Sequence, residues 1–153
     1  MSGNPCPTIL LPPLLERAEC CMNGQAELAK GWMSKADSDL ATVDLLVEAG
    51  GPFDTACYHA QQAIEKYLKA IIAFSGAAIP RTHNLEELGD RATEAIPTLA
   101  LDADELAEIT PYAVELRYDP DFWPDLETAR QALSAVRRLR EQALAALPES
   151  ARP

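Results

Sequence analysis

Apolar side chains recur every three or four residues along most of the chain, a period typical of amphipathic helices. The first such pattern runs from about Leu28 to Ala49 and comprises Trp32, Ala36, Leu40, Val43 and Val47. Gly50-Gly51-Pro52 ends it, because glycine and proline interrupt helices. No segment alternates in the way that a strand does, so we expect an all-α protein.

The second pattern predicts a helix from about Phe53 or Asp54 to Ser75. Its apolar face is wide enough to contact two neighbouring helices and comprises Cys57, Ala60, Ile64, Tyr67, Leu68, Ile71 and Phe74. The opposite face carries His59, Gln62, Lys66 and Lys69. This polar face holds one of the chain's two histidines, so function is best sought there.

Two further helices are predicted from their capping signals. Asn84-Leu85-Glu86-Glu87 has the spacing of a capping box, in which Glu87 returns a hydrogen bond to Asn84, and it opens a helix from about Leu85 to Ala95. Asp102 opens the next helix, and Pro111 should break it. The apolar side of that helix comprises Leu106, Ile109, Ala113 and Leu116.

The last predicted helix runs from about Asp125 to Leu147, with Leu126, Ala129, Leu133, Val136, Leu139 and Ala143 on one side. Before it, residues 118–124 form an ordered loop whose Phe122 and Trp123 are expected to pack against the domain. The whole reads as an up-and-down antiparallel bundle of about five helices. We assign residues 28–148 to it, residues 1–27 to a proline-containing extension whose order the sequence leaves open, and residues 149–153 to a tail.

Charge is concentrated in one stretch. The net charge is -11, and residues 84–127 hold thirteen of the 24 acidic side chains but only two of the 13 basic ones. The rest of the chain is balanced. General nucleic-acid binding is therefore not expected, since it depends on neutralising phosphates with Lys and Arg.

The cysteines, at positions 6, 20, 21 and 57, have neither the spacing of a zinc site nor that of a disulfide framework. We interpret them as reduced thiols of a cytoplasmic protein, with Cys57 in the core. Prolines interrupt the apolar start of the chain, which does not resemble a signal peptide. No apolar run is long enough for a membrane helix.

Four separated segments resemble successive signatures of the HEPN domain family. They are Trp32...Lys35-Ala36...Asp39-Leu40, Tyr58-His59-Ala60-Gln61-Gln62-Ala63-Ile64-Glu65-Lys66, Thr82-His83-Asn84-Leu85 and Tyr112-Ala113-Val114-Glu115-Leu116-Arg117-Tyr118. The resemblance spans about Lys30 to Leu147. It implies a helical bundle, usually a homodimer, from a family associated with nucleotide or RNA transactions and often encoded beside a minimal nucleotidyltransferase.

Many members of that family are metal-independent ribonucleases in which an arginine is followed, after four to six residues, by a histidine. Counted from Arg117, the three positions hold Phe122, Trp123 and Pro124. Neither His59 nor His83 has an arginine at the required distance before it. Because RNA cleavage needs a group that transfers protons near neutral pH, we assign no catalytic residue.

The candidate ligand-binding residues are His59, Gln62, Lys66, Lys69, Arg81, His83 and Arg117. Spacings of seven and three residues place His59, Lys66 and Lys69 along one side of a helix, where they would form a phosphate-binding strip. The alternative is an ordinary solvated face.

Arg81 and His83 precede a helix whose N-terminal N–H groups favour an anion, although His83 would equally pin the loop by a hydrogen bond. For Arg117 the alternative is an ion pair with Asp119, Asp121 or Glu115. The Arg137, Arg138 and Arg140 cluster is interpreted as a solvated helix face.

Three functions remain open. The favoured one is a non-catalytic module that binds a nucleotide or presents substrate to a nucleotidyltransferase partner, as a homodimer and without a metal or cofactor. The second is an RNA-cleaving toxin of the same fold. The third is a module that acts only by protein contact through the acidic stretch.

Overall fold

The protein is all-α, as the sequence predicts. The computed structural model describes residues 14–153, with side chains from Ala18 onward except that of Cys20. The helices are α1 (Leu14–Ala49), α2 (Phe53–Phe74), α3 (Leu85–Ala95), α4 (Ala103–Ile109), the single turn α5 (Glu115–Tyr118) and α6 (Leu126–Ala146). Two 3-10 turns, Thr110–Ala113 and Glu149–Ala151, complete the described elements.

Helix α1 begins at Leu14 rather than near Leu28. The added turns are rich in Leu, Glu, Ala and Gln, which are strong helix formers, and proline is absent from them. Because this part lacks a clear apolar period, the sequence pattern did not indicate a helix there. The proline-containing residues 1–13 lie outside the described range, and the proposed domain boundary stays a prediction.

Helix α2 is the centre of the bundle. The predicted apolar face is confirmed, since every member is fully buried except Phe74, which is partly buried. α1 covers one side of α2 in an antiparallel arrangement, and α3 and α6 contact the others. The connection from α1 is short because Gly50 and Gly51 take positive φ angles of 79° and 115°, which glycine adopts without strain.

The N-terminus of α3 keeps only half of the expected capping box. The Asn84 side chain accepts a hydrogen bond from the Glu87 backbone N–H at 2.8 Å, as predicted. The return bond from Glu87 was wrongly predicted: the Asn84 N–H donates instead to Thr82 Oγ1 at 3.2 Å. The threonine hydroxyl is nearer in sequence and satisfies the donor first.

Pro111 breaks the fourth predicted helix, which becomes α4, a 3-10 turn and α5. In the following loop, Phe122 packs at 6.1 Å from the Tyr112 ring, as expected. Trp123 does not pack against the domain and is 73% exposed. Its indole N–H donates to the Pro120 carbonyl at 2.9 Å. The loop therefore satisfies the polar atom of the indole ring and leaves the apolar surface of the ring exposed to solvent.

The arginines of α6 lie on a largely exposed helix face, as expected, and they also form ion pairs. Arg137 and Arg138 pair with Asp44 of α1 and with Glu105 of α4. Arg140 donates to Asp37 Oδ1 at 2.7 Å. These pairs join α6 to two other helices.

The same Asp37 oxygen accepts the Tyr67 hydroxyl at 2.5 Å, so one carboxylate connects α1, α2 and α6. Burial and the bond to Asp37 raise the pKa of Tyr67 above its usual value of 10. The Cys57 thiol is fully buried in the core, as predicted. Burial and the nearby Asp54 and Asp125 raise its pKa to about 12.

Candidate functional site: two buried carboxylates and their histidines

Asp39 of α1 organises the first half of the polar face of α2. The Asp39 carboxylate lies 2.8 Å from His59 Nδ1 and also binds Lys66 Nζ. Asp39 is buried, whereas the side chains of His59 and Lys66 keep 29% and 22% of their surface exposed. The carboxylate therefore holds two cation-forming side chains side by side, each with free hydrogen-bonding capacity toward solvent. We call these three residues the Asp39 cluster.

Glu65 of α2 organises the second half in the same way. Its two oxygens bind Lys69 Nζ at 2.7 Å and His83 Nδ1 at 3.0 Å. Burial alone would raise the pKa of Glu65, but the hydrogen bonds from Lys69 and His83 outweigh it and hold the pKa below the usual 4.5. We call these residues the Glu65 cluster.

Lys69 differs from Lys66 in its surroundings. Its side chain is only 10% exposed, and its ammonium lies 5.5 Å from the centre of the Trp32 ring, a cation–π contact. Lys69 is thus enclosed between Glu65 and Trp32. The expectation of a single solvent-facing strip of three basic residues does not describe this geometry.

Gln61 and Gln62 connect the Glu65 cluster to the loop before α3. Gln62 donates to the Gln61 side-chain oxygen at 2.7 Å. Gln61, which is fully buried, donates in turn to Glu65 and to the His83 carbonyl. This network orients Glu65 and anchors the loop, and it gives Gln62 a supporting position.

His83 pins the loop, which was one of its two expected roles. Its backbone and ring are both bonded to α2, yet 72% of its side chain is exposed. Two N–H groups at the N-terminus of α3 already have partners, since the Leu85 N–H donates to Thr110 Oγ1 at 3.1 Å and the Glu87 N–H to Asn84. Arg81, two residues earlier, is exposed.

Arg117 lies against the ring of Tyr58, the residue before His59 of the Asp39 cluster. Its guanidinium carbon is 5.3 Å from the Tyr58 ring and 5.4 Å from the Tyr118 ring, and Nε donates to the Ala113 carbonyl at 3.0 Å. The expected ion pair with Asp119, Asp121 or Glu115 does not form, because the two tyrosine rings hold the guanidinium away from those carboxylates. The Tyr58 ring also contacts the His59 ring edge-on at 5.4 Å, so Tyr58 contacts both Arg117 and His59.

The arrangement has a definite chemical capacity. An ionised carboxylate only accepts hydrogen bonds, so Nδ1 of His59 donates to Asp39. Nε2 is left as a base in the neutral ring and as a second donor in the protonated one. Lys66 has three N–H donors and uses one on Asp39. The Asp39 cluster thus offers donors to an anion, and it carries a positive charge when His59 is protonated.

Sequence reasoning missed the role of the two carboxylates, although both lie in the segments that carry the family resemblance. The signal for Asp39 was its place on the buried side of α1, between Ala36 and Val43. A charged residue at such a position requires a partner. Glu65 gave a similar signal, because it follows Ile64 directly and lies one turn before Leu68, and both of these residues are buried.

Among residues 14–153, no group of three or more His, Cys, Asp or Glu side chains is arranged to hold a metal ion. None of the helices described above is both long and apolar enough to cross a membrane.

The comparisons with known proteins give one match. The sequence model of the HEPN domain matches residues 29–145, which is most of the chain. Neither a curated protein nor a solved structure matches the chain. The matched range contains both carboxylate clusters and Arg117.

Proposed function

The chain belongs to the HEPN domain family, and from this premise we propose that it is a non-catalytic binding module whose Asp39 cluster receives a phosphate of a nucleotide. We further propose the setting implied by the resemblance: a homodimer in the cytoplasm that binds a nucleotide or presents substrate to a nucleotidyltransferase partner.

One observation carries the proposal. The buried Asp39 holds His59 and Lys66 next to each other while leaving both partly exposed. Two adjacent donors fixed by one carboxylate are preorganised for an anion, which lowers the entropic cost of binding it. Hydrogen bonds that involve charged groups are also about twice as strong as neutral ones.

The candidate residues divide into two roles under this proposal. His59 and Lys66 contact the phosphate. Arg81, His83 and Arg117 are the candidates for contact with the rest of the nucleotide. Lys69 and Gln62 support the site through Glu65 and Gln61, because their polar groups are engaged there.

Calorimetry of the purified protein with ATP and with GTP tests the proposal. Lys66→Ala should weaken binding by about tenfold or more, since a charge-assisted hydrogen bond contributes about 1.5–3 kcal/mol. Lys30→Ala is the matched control, because Lys30 is an exposed lysine of α1 outside the site. No binding at millimolar nucleotide, or equal binding by the two variants, would remove the phosphate site.

RNA cleavage is the second candidate function, and the contact between His59 and Asp39 favours it. A histidine oriented by a carboxylate is the usual arrangement of a general base, so Nε2 of His59 would accept the proton of a ribose 2'-hydroxyl. The expected Arg-to-His spacing remains absent from the sequence. Incubation of RNA with the protein and with His59→Ala and His83→Ala decides between the two: cleavage that depends on a histidine would replace the binding module with a ribonuclease toxin.

The partner is tested separately. The native protein is isolated from its own cells by pull-down, and the eluate is searched for bound nucleotide and for bound protein. A nucleotidyltransferase in the eluate is the expected result. Recovery of nucleotide without any protein would restrict the function to ligand binding.

A further inference from the structure

Two aromatic side chains at one end of the bundle are exposed side by side. Tyr118 at the end of α5 is 74% exposed and Trp123 is 73% exposed. Both line a cleft of about 270 Å³ together with Phe122 and Arg117. The indole N–H is already bonded to the loop, so what Trp123 presents to solvent is apolar. We call this surface the aromatic cleft.

The surroundings of the aromatic cleft are acidic. Asp54 and Asp119 line it, and between residues 114 and 127 the chain carries five acidic side chains against one basic one. Among the described residues, none of Asp54, Glu115, Asp119 and Asp121 pairs with a Lys or Arg side chain. These carboxylates are available to an incoming cation.

Arg117, which also lines the aromatic cleft, offsets only part of this negative charge, because both Asp54 and Asp119 line the cleft as well. Its guanidinium is stacked against the Tyr58 and Tyr118 rings and its Nε is bonded to the Ala113 carbonyl. Arg117 therefore forms part of one wall of the aromatic cleft. The faces of aromatic rings attract a guanidinium or ammonium group, and so do the carboxylates that surround these rings.

We propose that the aromatic cleft is a docking surface for a partner protein, and that it takes a segment in which Arg or Lys alternates with apolar side chains. The apolar side chains cover Tyr118 and Trp123, while the basic ones meet Asp54, Asp119 and Asp121. Nucleic acid does not fit, because its phosphates would face these carboxylates. The proposal does not require a bound nucleotide, although Arg117 both lines the aromatic cleft and is a candidate of the proposed nucleotide site.

The test uses the full chain and two synthetic peptides, one alternating Arg and Leu and one alternating Glu and Leu. Calorimetry should show binding of the Arg peptide alone, weakened by added salt because the charges are exposed. Trp123→Ala and Tyr118→Ala should each weaken it by about tenfold, as expected when a central aromatic side chain is removed from an interface. Leu28→Ala, at an exposed apolar residue of α1, is the matched control and should change nothing.

The charge contribution is measured with Asp119→Asn plus Asp121→Asn. The asparagine at 119 retains the oxygen that accepts the Asp121 N–H, so the loop is preserved. This variant should bind the Arg peptide more weakly and with a smaller dependence on salt.

Three results would overturn the proposal. The first is equal binding of the two peptides, or no binding of either peptide. The second is binding of single-stranded oligothymidylate that Trp123→Ala abolishes, which would assign the cleft to nucleic acid. The third is a dimer that Trp123→Ala or Tyr118→Ala dissociates in sedimentation, which would make the occupant a second copy of this chain.

Discussion

The Asp39 carboxylate of α1 lies 2.8 Å from Nδ1 of His59 on α2. The same carboxylate binds Lys66, so a single buried acid on one helix sets the positions of two functional candidates on the next. This relationship makes the site dependent on the packing of α1 against α2. Ligand binding and stability should therefore change together when Asp39 is altered.

Asp39→Asn should lower the free energy of unfolding by about 1–3 kcal/mol, because the Lys66 ammonium loses its counter-charge at a largely buried position. Urea unfolding followed by circular dichroism measures it. Asp44→Asn is the matched control on the same helix. Its partner Arg137 is exposed, and such pairs contribute about 0–1 kcal/mol. Equal effects of the two changes would contradict the assigned role of Asp39.

Glu65→Gln should change how stability depends on acid pH. The pKa of Glu65 is lowered in the folded protein, so its stabilising contribution is complete above the unfolded value of 4.5 and is lost as the pH falls through the folded-state pKa. The wild-type protein should be more stable than the variant at neutral pH, and the difference should shrink as the solution is acidified below 4.5. Unfolding curves across that range test it, with the exposed Glu86→Gln as control. Parallel profiles of wild type and Glu65→Gln would refute the prediction.

Tyr67→Phe should cost about 1 kcal/mol of unfolding free energy, since it removes a buried hydrogen bond to Asp37 and leaves Arg140 to satisfy that carboxylate. The raised pKa of Tyr67 adds a pH signature. Its contribution is complete below the unfolded value of 10 and is lost as the pH rises through the folded-state pKa. Wild-type stability should thus decline more steeply than that of Tyr67→Phe above pH 10. Tyr118→Phe, at an exposed ring, should leave the profile unchanged.

Gly76→Ala and Gly31→Ala should have opposite effects. Gly76 has a φ of 79°, a backbone conformation that L side chains rarely adopt, so the change should destabilise by about 1–2 kcal/mol. Gly31 lies inside α1 with open space around the added carbon. Alanine should stabilise the helix there by about 0.5–1 kcal/mol. Thermal unfolding of the two variants measures both, and a shared sign would show that the Gly76 turn is not constrained as described.

The sequence predicted the helices well where an apolar period and a capping residue coincide. α3 agrees with the predicted bounds, and the buried face of α2 agrees residue by residue. The first turns of α1 were missed because they lack that period. The position of Trp123 was missed as well, since nothing local distinguishes an aromatic ring that packs inward from one that its loop holds outward.

The candidate site was only partly predictable. The spacing of His59, Lys66 and Lys69 follows from the helix period, but the solvent-facing strip inferred from it does not form, because Lys69 is enclosed between Glu65 and Trp32. The Glu65–Lys69 pair is local, since its members are four residues apart. Asp39, however, lies 20 residues before its partner His59, and His83 lies 18 residues after its partner Glu65. No local pattern specifies which acid meets which base over such separations.

For this protein, local sequence is sufficient for the all-α class, the central amphipathic helix and the break at Pro111, because helix period, capping and proline geometry act within a few residues. Which charges neutralise one another is a property of the packed bundle. Bringing α1 against α2 places Asp39 between His59 and Lys66 and encloses Lys69 between Glu65 and Trp32. That packing divides an apparently uniform basic face into a partly exposed pair, His59 and Lys66, and the enclosed Lys69.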